Sequence, residues 1–316
     1  MSDRVSSVVE APPDGTFEFI RADDGTRLRI ARWRPAEAER SAILLNGRTE
    51  FIEKHFETVA DLIGRGYRVW SMDWRGQGLS DRPLANRMKG HVESFDDYLM
   101  DLAALLDLVE RTDGRGPDMV LAHSMAGAVV SRFLGRGRNS IGAAVLTGPM
   151  IGIHLGAWPA PLARWLTSMA AGMGYERGYV IGENGSDWRR ETFDPGNRLT
   201  TDPDRFAHTN HWISRNADLI LGGPTWRWLY ESFSALDDMR DPEFGPQITT
   251  PVLFCLAGDE RVVVNEDARA LAGRMPRAEV VEFPAAKHEI LKETDEVRRD
   301  FWAAFDRFVA GASEPR

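Results

Sequence analysis

Three short segments place side chains that could together carry out nucleophilic acyl transfer, and a fourth supplies a backbone donor. Val120-Leu121-Ala122-His123-Ser124-Met125-Ala126-Gly127 sets a serine between an apolar run and a helical pattern. A serine at such a strand-to-helix elbow sits on sharply turned backbone and needs small neighbours. The turn exposes the hydroxyl and aims the following N–H and the helix N-terminus at it. Ala122 and Ala126 stand where the Gly-x-Ser-x-Gly pattern has glycines. On these eight residues alone, an ordinary serine N-cap is the competing reading.

A serine nucleophile needs a base, and the base needs an orienting acid. Gly258-Asp259-Glu260-Arg261 follows the apolar run Leu253 to Ala257, and Lys287-His288-Glu289 follows another strand pattern. The order serine, acid, histidine is that of α/β hydrolases. Of the seven histidines, His288 both follows the acid and stands at a strand end. Asp259 and Glu260 both remain open as the acid at this point. The oxyanion of the intermediate needs a second N–H from the loop after an early strand, and Leu44-Leu45-Asn46-Gly47-Arg48-Thr49-Glu50 is that loop. Gly47 lets the chain turn, so the Arg48 N–H is expected to pair with the Met125 N–H. This chemistry requires no metal and no organic cofactor, and none is expected.

Groups this far apart in sequence converge only at the carboxyl ends of parallel strands. The pattern supplies them. Phe17 to Ile20 and Arg27 to Arg34 flank Asp24-Gly25 as a hairpin. Strands are expected at Ala42 to Leu45, Arg68 to Asp73, Met119 to Ala122 and Ala143 to Thr147, with helices at Glu53 to Arg65, Phe95 to Glu110 and Met125 to Leu134. The alternation stops at Gly148 and resumes at Pro251, with strands Pro251 to Ala257 and Ala278 to Phe283 and helices Glu266 to Arg274 and Ile290 to Val309. An insertion of about 95 residues lies between, long for a loop and suited to a lid. Its helical patterns are Leu162 to Met173, Pro203 to Asn216 and Thr225 to Leu236. The expected architecture is a mostly parallel α/β sheet flanked by helices (1–148 and 245–316), with a mainly helical cap (149–244).

Composition limits the alternatives. The chain has 316 residues, one cysteine and a net charge of −9 from 48 acidic and 39 basic residues. One cysteine excludes an internal disulfide framework, and the acidic balance argues against nucleic acid as a partner. The N-terminus has no apolar signal region. The most apolar stretch, Ile151 to Met173, is broken by Pro159, Pro161 and Arg164, so no transmembrane segment is expected. The lone Cys255 in an apolar run fits a reducing compartment. The expectation is a cytoplasmic protein, peripheral to the membrane if an apolar cap surface touches lipid.

Beyond single motifs, the chain resembles the bacterial lysophospholipase and monoacylglycerol-lipase-like group of α/β hydrolases over about residues 15 to 310. The resemblance rests on Asn46-Gly47-Arg48-Thr49-Glu50, Asp73-Trp74-Arg75-Gly76-Gln77-Gly78-Leu79-Ser80, Ala122 to Gly127, Glu260-Arg261-Val262-Val263-Val264-Asn265 and Lys287-His288-Glu289-Ile290-Leu291. Asn197 to Pro203 and Gly222-Gly223-Pro224-Thr225-Trp226 extend it into the insertion. It implies Ser124 as nucleophile, His288 as base and the Arg48 and Met125 N–H groups as oxyanion donors. The group places its acid directly before Arg-Val-Val, which implies Glu260, with Asp259 the adjacent contender. For Asp73 it implies a turn residue beside the site.

The implied substrate is a lipid-type ester, a lysophospholipid or monoacylglycerol. Six of ten tryptophans fall in the insertion, and Trp158, Trp165, Trp212 and Trp226 are the candidates for an acyl-binding wall. A small helical cap also needs aromatics for its own core, so about two of the six are expected in the pocket. Arg164, Arg177, Arg189, Arg190 and Arg198 offer a phosphate partner. Rival readings are an esterase, thioesterase or lactonase for a small non-lipid ester, and a binding protein on an inactive hydrolase scaffold. A dehalogenase or epoxide hydrolase of the same fold needs aspartate at the elbow, which Ser124 excludes.

Overall fold

The computed structural model describes residues 10–137, 140–156, 160–185 and 192–312. Eight strands form one sheet: β1 (Thr16–Arg21), β2 (Arg27–Trp33), β3 (Arg40–Leu45), β4 (Tyr67–Met72), β5 (Met119–His123), β6 (Ala143–Thr147), β7 (Val252–Ala257) and β8 (Ala278–Phe283). Their order is β1-β2-β4-β3-β5-β6-β7-β8. Only β2 runs antiparallel, to both β1 and β4; the remaining pairs are parallel.

β5, β6 and β7 are buried at every position, as central strands covered on both faces must be. Alternate side chains supply two separate cores. Ile43, Leu45, Val120 and Ala122 face one layer, with α2 (Asp97–Asp113) and α3 (Met125–Gly135) packed on it. Ala42, Leu44, Met119 and Leu121 face the other, covered by α1 (Phe56–Gly64) and α8 (Asp295–Ala312). The small α7 (Asn265–Ala272) follows β7 on the first face.

Between β6 and β7 lie α4 (Ala160–Gly172), α5 (Pro203–Arg215) and α6 (Trp226–Arg240). Each of the last two starts on a side-chain cap. Asp202 accepts from the Asp204 and Arg205 N–H groups, with Pro203 in the first turn, and Thr225 accepts from Trp228 N–H. Two helices start later than the sequence pattern suggests. The Ile290 to Val309 pattern becomes a 3₁₀ turn at Ile290–Lys292, an extended Glu293, and then α8. Glu293 is fully buried and its carboxylate accepts the Lys287 and Thr201 N–H groups at 2.9 and 3.1 Å, which holds it out of the helix. Likewise the Glu53 to Arg65 pattern opens as the 3₁₀ turn Ile52–His55, with the Ile52 N–H donating to Asp73. Among the described residues no helix is long and apolar enough to cross a membrane.

Candidate active site

Ser124 joins β5 to α3 with φ 54° and ψ −115°, a backbone region that non-glycine residues avoid. Such a conformation costs about 1–3 kcal/mol and persists only where its surroundings enforce it. They do so here. Ser124 N–H donates to Thr147 O at 2.9 Å, and Ser124 O accepts from Met150 N–H at 3.0 Å. Gly127 meets the close approach of the neighbouring loop: a Cβ there would lie 2.6 Å from Pro149 Cβ. Ala122 and Ala126 fit fully buried, so their methyl groups do not disturb the elbow.

Ser124 Oγ lies 3.0 Å from His288 Nε2, and His288 Nδ1 lies 2.8 Å from Glu260 Oε2. A carboxylate only accepts, so Nδ1 carries the proton and Nε2 is left to accept from the serine hydroxyl. Burial pushes the Glu260 carboxyl upward, but His288 and the Val262 and Val263 N–H groups outweigh it and hold the carboxyl below its usual range. Those two N–H groups donate to Glu260 Oε1 at 2.8 and 3.2 Å. Asp259, the neighbouring carboxylate, turns outward and pairs with Arg261 at 2.8 Å. The site therefore brings Ser124, His288 and Glu260 together and leaves Asp259 in solvent.

The loop after β3 packs directly on the serine. A Cβ on Gly47 would sit 3.0 Å from Ser124 Cβ, so any side chain there would press on the serine. The Gly47 carbonyl accepts from Gln77 Nε2 at 2.7 Å. A trans peptide points its N–H opposite its carbonyl, so Gln77 fixes the direction of the Arg48 N–H. Met125, the other expected donor, is the first residue of α3, where an N–H has no intrahelical partner. Gln77 belongs to the Asp73–Ser80 motif, but its task is not readable from spacing. Asp73 is fully buried and accepts from the Ile52 and Leu79 N–H groups, each at 2.9 Å. Burial raises it to about 6 against the pull of Arg29. It closes a turn and does not line the cavity.

A cavity of about 730 Å³ opens over Ser124 and His288. Met150, Ile153, Leu155, Leu166, Trp226 and Trp228 are among its apolar wall. The tryptophan expectation needs correction at two positions. Trp165 projects from the outer side of α4 and is 57% exposed, while its neighbour Leu166 lines the cavity. Trp212 packs edge-on against Phe56 of α1 at 5.4 Å and donates to His208, away from the cavity. Trp158 lies outside the described residues, as do Trp188, Arg189 and Arg190. Trp226 lines the cavity as expected, and Trp228 joins it from the same first turn of α6. The Trp-x-Trp pair just after the Thr225 cap was the available signal for Trp228. Its indole donates to Tyr98 Oη at 3.1 Å, and the Arg48 guanidinium lies 5.0 Å from its ring centre. Arg164 pairs with Asp237, and Arg177 with Glu93 at 2.9 Å; Arg198 lines the cavity.

The chain is similar to known proteins over most of its length. The family model described as serine aminopeptidase, S33, matches residues 36–295. Lysophospholipase L2 of Escherichia coli strain K12 is 34% identical over 289 residues, covering 89% of this chain and 83% of that one. Monoacylglycerol lipase of Mycolicibacterium smegmatis is 22% identical over 277 residues, covering 86% of this chain and 89% of that one. A soluble variant of the Saccharomyces cerevisiae monoglyceride lipase, solved with a substrate analogue, superposes with a TM-score of 0.74 at 17% identity, over 95% of this chain and 96% of that one. The chain belongs to the serine aminopeptidase S33 family and is an ester hydrolase of the α/β-hydrolase fold.

Proposed function

We propose that this hydrolase cleaves lipid-type carboxylic esters, lysophospholipids or monoacylglycerols, through an acyl-enzyme on Ser124. The observation that carries the reading is the hydrogen-bonded line Ser124–His288–Glu260 at the floor of a cavity whose walls include Met150, Ile153, Leu166, Trp226 and Trp228. The cavity volume falls within the range of about 300–1,000 Å³ that buries a medium-sized organic ligand. His288 takes the Ser124 proton as Oγ attacks the ester carbonyl. The oxyanion rests on the Arg48 and Met125 N–H groups. His288 then gives its proton to the leaving alkoxide, and water attacks the acyl-serine by the same route in reverse. Glu260 holds the imidazole in the required tautomer and stabilises the imidazolium.

Residues 149–244 act as a cap that shapes the pocket. Arg198 on its wall supports a phosphate-bearing head group among the lipid esters. Leu162, Trp165, Met169 and Met173 are exposed along α4 and just beyond it, a spacing that puts them on one side of the helix. That face supports transient contact with a lipid surface, next to a cavity wall formed in part by Leu166.

The test is a substrate panel of lysophosphatidylcholines, monoacylglycerols and short-chain nitrophenyl esters. The expected result is a preference for long acyl chains. Ser124→Ala should lower turnover by about 10⁴-fold or more, and Arg198→Ala should weaken lysophospholipid turnover more than monoacylglycerol turnover. Full activity of Ser124→Ala, or equal activity on short polar esters, contradicts the reading.

A further inference from the structure

Lys54 lies in the 3₁₀ turn ahead of α1, is 1% exposed, and does not line the cavity. Its ammonium donates to Glu50 Oε1 at 2.5 Å and to Glu289 Oε1 at 2.7 Å. These two carboxylates come from different loops. Glu50 closes the loop after β3, and its second oxygen accepts the Gly47 N–H and lies 3.1 Å from His55 Nε2. Glu289 directly follows His288 on the loop after β8, and its own N–H donates to Leu199 O at 2.8 Å.

In the sheet, β5, β6 and β7 stand between β3 and β8. β3 and β8 are therefore not paired directly, and no shared ladder joins the loop that carries the Arg48 N–H to the loop that carries His288. Two buried carboxylates would also repel each other across this gap. One cation between them turns that repulsion into a tie. Although burial pushes Glu50 upward, Lys54, His55 and His123 hold it well below its usual range, so it stays an anion.

We infer that Lys54 is a positioning residue for the hydrolysis, fixing the His288 loop against the Gly47–Arg48 loop so that base and oxyanion donors keep one spacing. The inference rests on the roles given above to Ser124, His288 and Arg48. Lys54 touches neither substrate nor the reacting atoms. Its effect belongs in kcat, because a misplacement of about 1 Å at a reacting centre costs about 10²-fold.

The experiment measures hydrolysis of a soluble short-chain nitrophenyl ester, with sites counted by fluorophosphonate labelling of Ser124. Lys54→Met and Glu289→Ala should each lower kcat per labelled site by about 30- to 100-fold, with KM within about threefold. Glu289→Gln keeps an acceptor for Lys54 and should restore kcat to within about fivefold of wild type. If Lys54→Met does not fold, the Glu289→Ala and Glu289→Gln pair decides the matter. Unchanged kcat per labelled site in Lys54→Met or Glu289→Ala, or a rise in KM alone, overturns the inference while leaving the hydrolase reading intact. A wild-type protein that is not labelled at Ser124 overturns the hydrolase reading itself.

Discussion

The floor and the roof of the cavity are held by different physics. On the floor, Ser124, Glu260, His288 and Arg48 each follow a strand by a few residues, and hydrogen bonds hold the backbone at Ser124 and beside Glu260 and Arg48: Ser124 N–H to Thr147 O, Asp259 N–H to Ala286 O and Gln77 Nε2 to Gly47 O. In the roof, no strand lies between β6 and β7 among the described residues, and the helices are fastened by side chains: Leu229, Phe233, Leu236 and Met239 of α6 join the core under α2 and α3, and caps and ion pairs add to that packing. Arg205 of α5 binds Glu57 of α1 at 2.8 and 2.5 Å, and Thr225 at the start of α6 lies 2.8 Å from His91 Nδ1. The floor keeps reacting atoms at fixed spacing, which catalysis requires. The roof needs only to present an apolar wall, so its sequence is freer to change with substrate.

The sharpest way to break this contrast is on the floor. Glu260→Gln keeps the shape but loses the carboxylate that sets the imidazole tautomer, and kcat should fall by about 10³-fold or more. Asp259→Asn, one residue away and solvent-facing, should stay within about twofold. Similar losses in the two variants would remove the assignment of the acid. In the roof the effects are smaller. Trp226→Ala should raise KM for a long-chain ester by about tenfold, the worth of one partly buried aromatic wall. Trp165→Ala should leave a soluble short-chain ester unaffected and lower activity only on vesicles. Equal effects on both substrates would contradict a separate outer face.

The smallest expected effect concerns how the roof is fastened. Burial pushes Glu57 upward, but the Arg205 hydrogen bonds and the charges of Arg298 and Lys292 hold it below its usual value of 4.5. A carboxylate lowered in the folded state adds stability above its unfolded value, and that stability is lost as pH falls through the folded one. The Tm advantage of wild type over Glu57→Gln, about 3 °C per kcal/mol for a chain of this size, should be full above pH 4.5 and shrink on acidification below it. A difference that grows toward low pH would contradict the role of this ion pair.

The floor was legible in the sequence for a physical reason. Buried parallel strands read as short apolar runs, and a site at their carboxyl ends must fall in the next few residues; Ser124 and Gly47-Arg48 were found that way, and His288 from the half-exposed edge strand β8. The choice between Asp259 and Glu260 was not available from spacing, because both follow the same strand. It depends on which side chain turns inward, and here Arg261 draws Asp259 out while the Val262 and Val263 N–H groups hold Glu260 in. The roof was legible only as helices. Trp165 and Trp228 both carry the same aromatic ring, yet one points to solvent and the other to the cavity, because tertiary packing decides which face of each helix is covered. The tasks of Gln77, Glu50 and Lys54 were not legible, because single polar residues carry no period. Only three-dimensional proximity shows that they hold the loops around Ser124.

The central claim is a covalent acyl-serine at the elbow. Rapid acid quenching during turnover of a long-chain lysophospholipid, followed by peptide mass mapping, tests it most directly. The account predicts a mass increment equal to the acyl group on the peptide that contains Ser124, absent in Ser124→Ala. Sustained turnover by the wild-type protein with no acyl adduct at Ser124, or with the adduct on another residue, would contradict it.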